Sequence, residues 1–262
     1  MGNTYELKFE SPNFFKRLRG MLGVDFYRLF HTPMFYIFLA IAALIPAIIL
    51  GTTGMENPQT GAAAAPLYTN VWQIIAADKP LYVVSNMGEY ANMNMVFIFG
   101  GIMVSIFIGH DYRSGYVKQL FTTHAKKQDY MMSKTISCAF AMACMCITYL
   151  IGTIASGIFN QISFEINIGS LILALLGKII MSLGWASLYT FLNIIFRRYF
   201  GISITSSFFF GTGILIIGAS ALIDSLSINT SILNIFLYGS SVNACLSSDI
   251  FTLISCLIVS VM

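Results

Sequence analysis

Few residues in this sequence have the type and spacing that chemistry requires. The histidines His31, His110 and His124 form no HExxH pattern, which binds zinc on a helix. The five cysteines include no CxxC pair, so neither a zinc site nor thiol redox chemistry is indicated. No GxxxxGK(S/T) loop is present to hold the phosphates of ATP. We therefore predict no catalytic, cofactor-binding or metal site on this chain.

Lys178 is the charged residue that lies farthest inside an apolar run. If the helix enters the membrane at Ser170, Lys178 is deep and needs a polar partner or a cavity. If the helix enters near Ile179, the remaining residues still span the bilayer and the amine extends outward to the interface. The second placement is favoured, because the run is long for one crossing.

The composition is that of a membrane protein. Hydrophobic residues make up 57% of the 262 residues and charged residues only 10%, whereas soluble domains contain about 25% charged residues. A chain of this size cannot cover so much apolar surface with its own polar residues. Lipid is therefore the expected solvent.

The apolar runs predict an all-α integral membrane protein with six transmembrane helices in a single domain, residues 1–262. The runs cover about 34–51, 93–109, 135–159, 169–196, 200–223 and 250–262. The last run has about thirteen residues, roughly 20 Å of helix. That is too short to cross a bilayer, so we expect the natural chain to continue beyond Met262.

The basic residues orient the predicted spans. Of the fourteen, five precede the first span, five lie in residues 110–134, and Arg197 and Arg198 are adjacent. Because basic residues accumulate in cytosolic loops, both ends of the six-span chain are expected in the cytosol.

Residues 13–31 form an amphipathic pattern ahead of the first span. Apolar residues recur at helical spacing from Phe14 to Leu29, and most of the basic residues of this segment fall between them. A basic amphipathic helix of this kind lies in the membrane surface, with its charges toward the anionic inner leaflet.

Small residues recur at four-residue spacing in two of the apolar runs, and these stripes allow another helix to approach closely. We predict helix packing along two such stripes, made of Gly101, Ser105 and Gly109, and of Ser203, Ser207 and Gly211.

The segment His110–Lys134 is a charged stretch between two apolar runs. Its pattern is Asp111, Gly115, the pair Leu120 and Phe121, and then Tyr130 followed four residues later by Lys134. With the surface helix before the first span, this arrangement resembles the permease subunit of an ABC transporter of the type 2 exporter class. It is most similar to the small permeases of bacterial peptide-antibiotic export and immunity systems.

The resemblance implies a transport mechanism. Two permease copies, or this chain and a sister permease, would pair in the bacterial cytoplasmic membrane above two ATPase subunits that carry ATP and Mg²⁺. A short cytosolic coupling helix between the second and third spans would sit in a cleft of the ATPase. Its expected contacts are apolar anchors and charges for register, and the loop residues concerned are Asp111, Arg113, Gly115, Tyr116, Lys118, Leu120 and Phe121. The small-residue stripes would be sliding or dimer surfaces.

Other functions stay open at this point. The loop could be a solvated connector that only obeys the positive-inside rule, although this does not explain its aromatic residues. The chain could be a membrane scaffold or sensor subunit, or an ion-coupled carrier. The absence of Asp and Glu from the middle of the apolar runs argues against the carrier, and nothing indicates a nucleic-acid partner.

Overall fold

The computed structural model describes residues 13–52, 70–75, 94–122, 126–165, 168–197, 199–214, 236–246 and 250–261. Within these ranges the regular structure is helical. In chain order the helices are α1 (Phe14–His31), α2 (Pro33–Thr52), a 3₁₀ turn (Val71–Ile74), α3 (Met95–Arg113), α4 (Tyr116–Thr122), α5 (Lys127–Phe159), α6 (Ile168–Ile195), α7 (Phe200–Gly211), α8 (Leu237–Leu246) and α9 (Ile250–Val261).

Four of the described helices are long and apolar enough to cross a membrane: α2, α3, α5 and α6. Each corresponds to a predicted span. The bounds of α2 and α6 lie within one residue of the predicted 34–51 and 169–196. Helix α5 begins at Lys127, eight residues before the predicted start at 135.

The remaining predicted spans are described only in part. Helix α7 covers the first part of the predicted 200–223, and α9 covers most of 250–262; both are apolar but shorter than a full crossing. Residues 215–223 of the fifth predicted span lie outside the described residues, as does most of the stretch between the first two predicted spans. Six spans, and the placement of the chain ends, therefore stay predictions.

Helix α5 is the centre of the bundle, in contact with α1, α2, α3 and α6. One of its faces is buried at intervals of three and four residues, through Cys138, Met142, Met145 and Tyr149. The opposite face exposes large apolar side chains at the same interval, through Ile147, Ile151, Ile154 and Ile158. An exposed isoleucine stripe is expected where lipid, rather than water, is the solvent.

A close approach brings α2 against α5. A Cβ added at Gly152 of α5 would lie 2.2 Å from the carbonyl oxygen of Ala43 in α2. Only glycine lets the two backbones come this near.

The C-terminal end of α5 is covered by residues 70–75, the described piece of the stretch between α2 and α3. Val71, Ile74 and Ile75 are fully buried, and Val71 packs against Gly157. These residues belong to the 3₁₀ turn Val71–Ile74 and the residue that follows it.

Candidate functional site

A short helix lies where the sequence places the coupling helix. Helix α3 ends at Arg113, and Gly115 takes a positive φ of 74° that glycine adopts without strain. The chain then turns into α4. Helix α4 therefore lies between the end of α3 and the start of α5, two helices of membrane-spanning length.

The two sides of α4 differ in what they contact. Lys118 and Gln119 are exposed, whereas Val117 is buried. The ring of Phe121 packs edge-on against Tyr130, with 6.1 Å between centroids. The ring of Tyr116 lies 4.4 Å from the Arg28 guanidinium. A partner protein would therefore meet the Lys118 side of α4.

The predicted docking residues differ in how much of each is accessible. Tyr116, Leu120 and Phe121, expected as anchors for a partner, are all half-buried. Tyr116 and Phe121 also pack on their own chain. Of the charged residues in the prediction, Lys118 and Arg113 are exposed, and the Arg113 guanidinium lies 4.1 Å from the ring of Phe200.

Asp111, also predicted in the docking loop, is fully buried within the chain. Its carboxylate lies 2.6 Å from the Arg28 guanidinium and 2.7 Å from the Lys134 amine. The hydroxyl of Tyr130 donates a hydrogen bond to it, at 3.2 Å. Two cations and one hydroxyl donor around the carboxylate offset the cost of removing its charge from water.

Asp25 completes what we call the charge cluster: Asp25, Arg28, Asp111 and Lys134. The Lys134 amine lies 2.6 Å from the Asp25 carboxylate, which also accepts a 2.6 Å bond from the hydroxyl of Ser133. Two carboxylates face two cations, so the cluster carries no net charge. It joins α1, α3 and α5 at the end of the bundle that carries α4.

The cluster also affects the pKa of Tyr116 on α4. Burial, and secondarily the negative charge of Asp25, raises the pKa of Tyr116 above its ordinary value. The phenol therefore stays neutral at physiological pH.

A separate ion pair adds to the attachment of α1. The Arg17 side chain donates to the Asp129 carboxylate at 2.8 Å, and Asp129 is buried at the start of α5. The predicted amphipathic helix thus exists as a helix, but Asp25 and Leu29 on its inner face are buried in the protein. Whether its other face lies in a membrane surface stays a prediction.

Sequence reasoning missed the charge cluster, although one signal was present. Asp25 falls on the apolar stripe of α1, four residues from Met21 and four from Leu29. A carboxylate on the apolar face of a helix indicates a buried cation on a neighbouring element. Lys134, assigned to a cytosolic loop from the sequence, is that cation and is itself fully buried.

The two small-residue stripes meet each other inside the chain. The hydroxyls of Ser105 on α3 and Ser207 on α7 are 2.9 Å apart. Asn193 of α6 donates to Ser105 at 3.1 Å and accepts a bond from Ser203.

The glycines of the stripes make room for aromatic rings. A Cβ added at Gly101 would lie 2.8 Å from the ring of Tyr189, and one at Gly211 would lie 2.7 Å from the Tyr189 hydroxyl. A Cβ at Gly109 would lie 2.5 Å from the ring of Phe200. The stripes are therefore used for packing within one chain, which leaves them unavailable as the expected dimer surface.

Lys178 is buried within the protein and has the polar partners that the less favoured, deep placement requires. Its depth in a membrane stays a prediction. Its side chain is fully buried. Its amine donates to the Asn94 side chain and, at 2.5 Å, to the carbonyl of Ser241. Ser241 also donates to Asn94 at 2.7 Å. Neutral oxygens from α8 and the start of α3 thus solvate the amine, and no described carboxylate lies within 4 Å of it.

We expect this burial to protect Lys178 from a water-soluble amine reagent. In the folded protein in detergent, Lys178 and Lys134 should react at least about tenfold more slowly than the exposed Lys118 and Lys126. Peptide mass spectrometry measures the four rates. Denaturation in SDS should make the rates equal, and fast labelling of Lys178 in the folded protein would contradict the deep placement.

Comparison with known proteins leaves the chain without an assigned family. No family model matches the sequence. Neither the curated proteins nor the solved structures contain a match. Among the residues that the structure describes, no group of three or more His, Cys, Asp or Glu side chains could hold a metal ion.

Proposed function

We propose that this chain is the membrane-spanning subunit of an ATP-driven exporter of the bacterial cytoplasmic membrane. Separate ATPase subunits would bind at α4 and carry the ATP and Mg²⁺. The cargo would be hydrophobic or amphipathic: a peptide antibiotic, a lipid or a drug. The observation that carries the proposal is a short helix with an exposed basic side, held between two helices of membrane-spanning length and supported by buried charges.

A displacement of α4 would reach the helices around it. Two residues separate α4 from the end of α3, and Tyr116 of α4 lies against Arg28 of the charge cluster. The cluster in turn connects α1, α3 and α5 through ion pairs of 2.6–2.7 Å. A partner that displaces α4 would therefore move three helices together rather than bend one loop.

The proposed assembly follows from the distribution of charge. Basic residues on both sides of α4, including Lys126 and Lys127, favour a cytosolic position for this end of the bundle. The chain would then cross the membrane six times and pair with a second copy or a sister permease.

Reversing the charge at Lys118 should separate docking from folding. We expect Lys118→Glu to reduce ATPase stimulation by the permease at least about tenfold, because the substitution puts a like charge at the contact with an acidic partner surface. Lys118 is exposed, so the variant should fold and insert normally. The measurement is ATP hydrolysis by the co-purified complex in nanodiscs, with and without each permease variant.

The matched control is Lys16→Glu, which makes the same change at an exposed site on α1. It should retain stimulation. Equal stimulation by both variants would contradict docking at α4. A chain that binds an ATPase but moves no cargo would instead be a scaffold or sensor subunit.

A second candidate function is an ion-coupled carrier, and the observation that favours it is the buried Lys178. A buried lysine among neutral oxygens can act as a proton-exchanging group. This function predicts transport in vesicles that contain the chain alone and an imposed proton gradient. Transport that requires both an ATPase and ATP would exclude it.

A further inference from the structure

A polar cavity of about 270 Å³ lies between the ends of α3 and α6 and the start of α7. Tyr112, Arg113 and Arg197 line it together with the rings of Phe196 and Phe200. It is at the same end of the bundle as α4, because Arg113 is two residues from Gly115. Arg113 also belongs to the predicted docking loop, whereas Tyr112 and Arg197 have no part in the proposed function.

The cavity carries positive charge that the described residues do not compensate. Arg113 and Arg197 are exposed, and no described carboxylate lies within 4 Å of either guanidinium. Asp111 is close in sequence, but its carboxylate is already bound to Arg28 and Lys134. Arg113 instead stacks on Phe200, which holds its guanidinium at the cavity.

The other polar groups of the cavity determine what kind of ligand fits. Asn193 and Ser203 are bonded to each other at its buried side. The half-buried hydroxyl of Tyr112 makes no hydrogen bond within the described part of the chain, so it is free to donate. Two guanidinium groups and one phenol offer donors and positive charge, which is the chemistry that recognises a phosphate.

Exposed apolar residues stand next to the lining residues in sequence. Ile195, Tyr199 and Ile202 flank Arg197 in sequence and are 54%, 63% and 48% exposed. Large exposed apolar side chains beside arginines fit a ligand with a phosphate head and hydrocarbon tails. Basic cavities between transmembrane helices on the cytosolic side bind anionic lipid head groups in this way.

We propose that this cavity binds the head group of an anionic phospholipid from the cytosolic leaflet. The phosphate would lie between Arg113 and Arg197 with the Tyr112 hydroxyl as a further donor, and the acyl chains would run along Ile195 and Ile202. This inference rests on membrane insertion and on the orientation of the bundle. It does not depend on an ATPase partner.

The test uses the full chain in phosphatidylcholine nanodiscs that contain a small fraction of photoreactive phosphatidylglycerol. After illumination, peptide mass spectrometry should place the attachment within residues 195–202 or at Tyr112. In the double variant Arg113→Gln/Arg197→Gln, attachment there should fall on the order of 30-fold, from the loss of two charges at the lipid surface. The variant Lys16→Gln/Arg19→Gln removes the same charge from exposed sites on α1 and should retain it.

Competition separates a lipid site from a site for a soluble anion. Unlabelled phosphatidylglycerol should suppress attachment, whereas phosphatidylcholine and free glycerol phosphate should not. Suppression by glycerol phosphate at equal concentration would overturn the proposal in favour of a soluble phosphate ligand. An equal loss in both double variants, or attachment spread over the whole surface, would also overturn the proposal. Either result would show only a general attraction between basic residues and anionic lipid.

Discussion

Asp111→Asn is expected to destabilise the folded chain by about 3–5 kcal/mol, because it removes one charge from a buried, balanced cluster. Asparagine has nearly the same shape as aspartate, so packing changes little. It leaves Lys134 paired with Asp25 and removes the carboxylate that pairs with the half-buried Arg28, so the cluster keeps one uncompensated positive charge. For a chain of this size the loss corresponds to a decrease in Tm of roughly 10 °C. Thermal unfolding in detergent, followed by tryptophan fluorescence, measures it.

The control for Asp111 is the same chemical change at an exposed carboxylate. Glu165→Gln should shift the Tm by no more than about 1 °C, because Glu165 faces solvent. A second variant tests the charge argument directly: Asp111→Asn with Lys134→Met restores neutrality and should be more stable than the sum of the two single changes predicts. Strict additivity would contradict a coupled cluster.

Gly152→Ala should prevent normal packing of α2 against α5, although it adds a single methyl group. The new Cβ would lie 2.2 Å from the carbonyl oxygen of Ala43 and 2.9 Å from its Cα. These are backbone atoms of a neighbouring helix, so no side-chain rotation relieves the overlap and the two helices must separate. We expect a loss of about 3 kcal/mol, the upper end of typical overpacking costs. The yield of monodisperse protein on size exclusion, and its Tm, measure the effect.

Gly20→Ala is the matched control for Gly152→Ala. A Cβ at Gly20 meets nothing within 4 Å, and alanine favours a helix over glycine by up to about 1 kcal/mol. This variant should be as stable as the unmodified chain or slightly more stable. If Gly152→Ala behaves like Gly20→Ala, the close contact between α2 and α5 is wrong.

The sequence predicts the long apolar helices well because the length of each apolar run largely determines them. An apolar run of about 20 residues has few alternatives to a helix once lipid surrounds it. Thus α2 and α6 begin and end within one residue of their predicted bounds. The start of α5 was missed because Asp129 and Lys134 look like loop residues in the sequence. They extend the helix because they find their counter-ions on α1.

The candidate site was harder to predict for a related reason. In the sequence, Asp111 and Lys134 look like charged residues of an exposed docking surface. Only the fold shows that they pair with each other and with charged residues of α1. Asp25 is 109 residues from Lys134, so no local spacing connects the two. Lys178 shows the same limit, since its partners Asn94 and Ser241 are far from it in sequence and carry no charge.

The ion pairs of α1 also impose an order on biogenesis. Asp25 leaves the ribosome 109 residues before Lys134, an interval of roughly 5–20 s at ordinary rates of translation. During that time Asp25 lacks Lys134, and α1 can contact only α2, through Phe30 and Phe35. The docking of α1 is therefore completed only after α3 and α5 have been made.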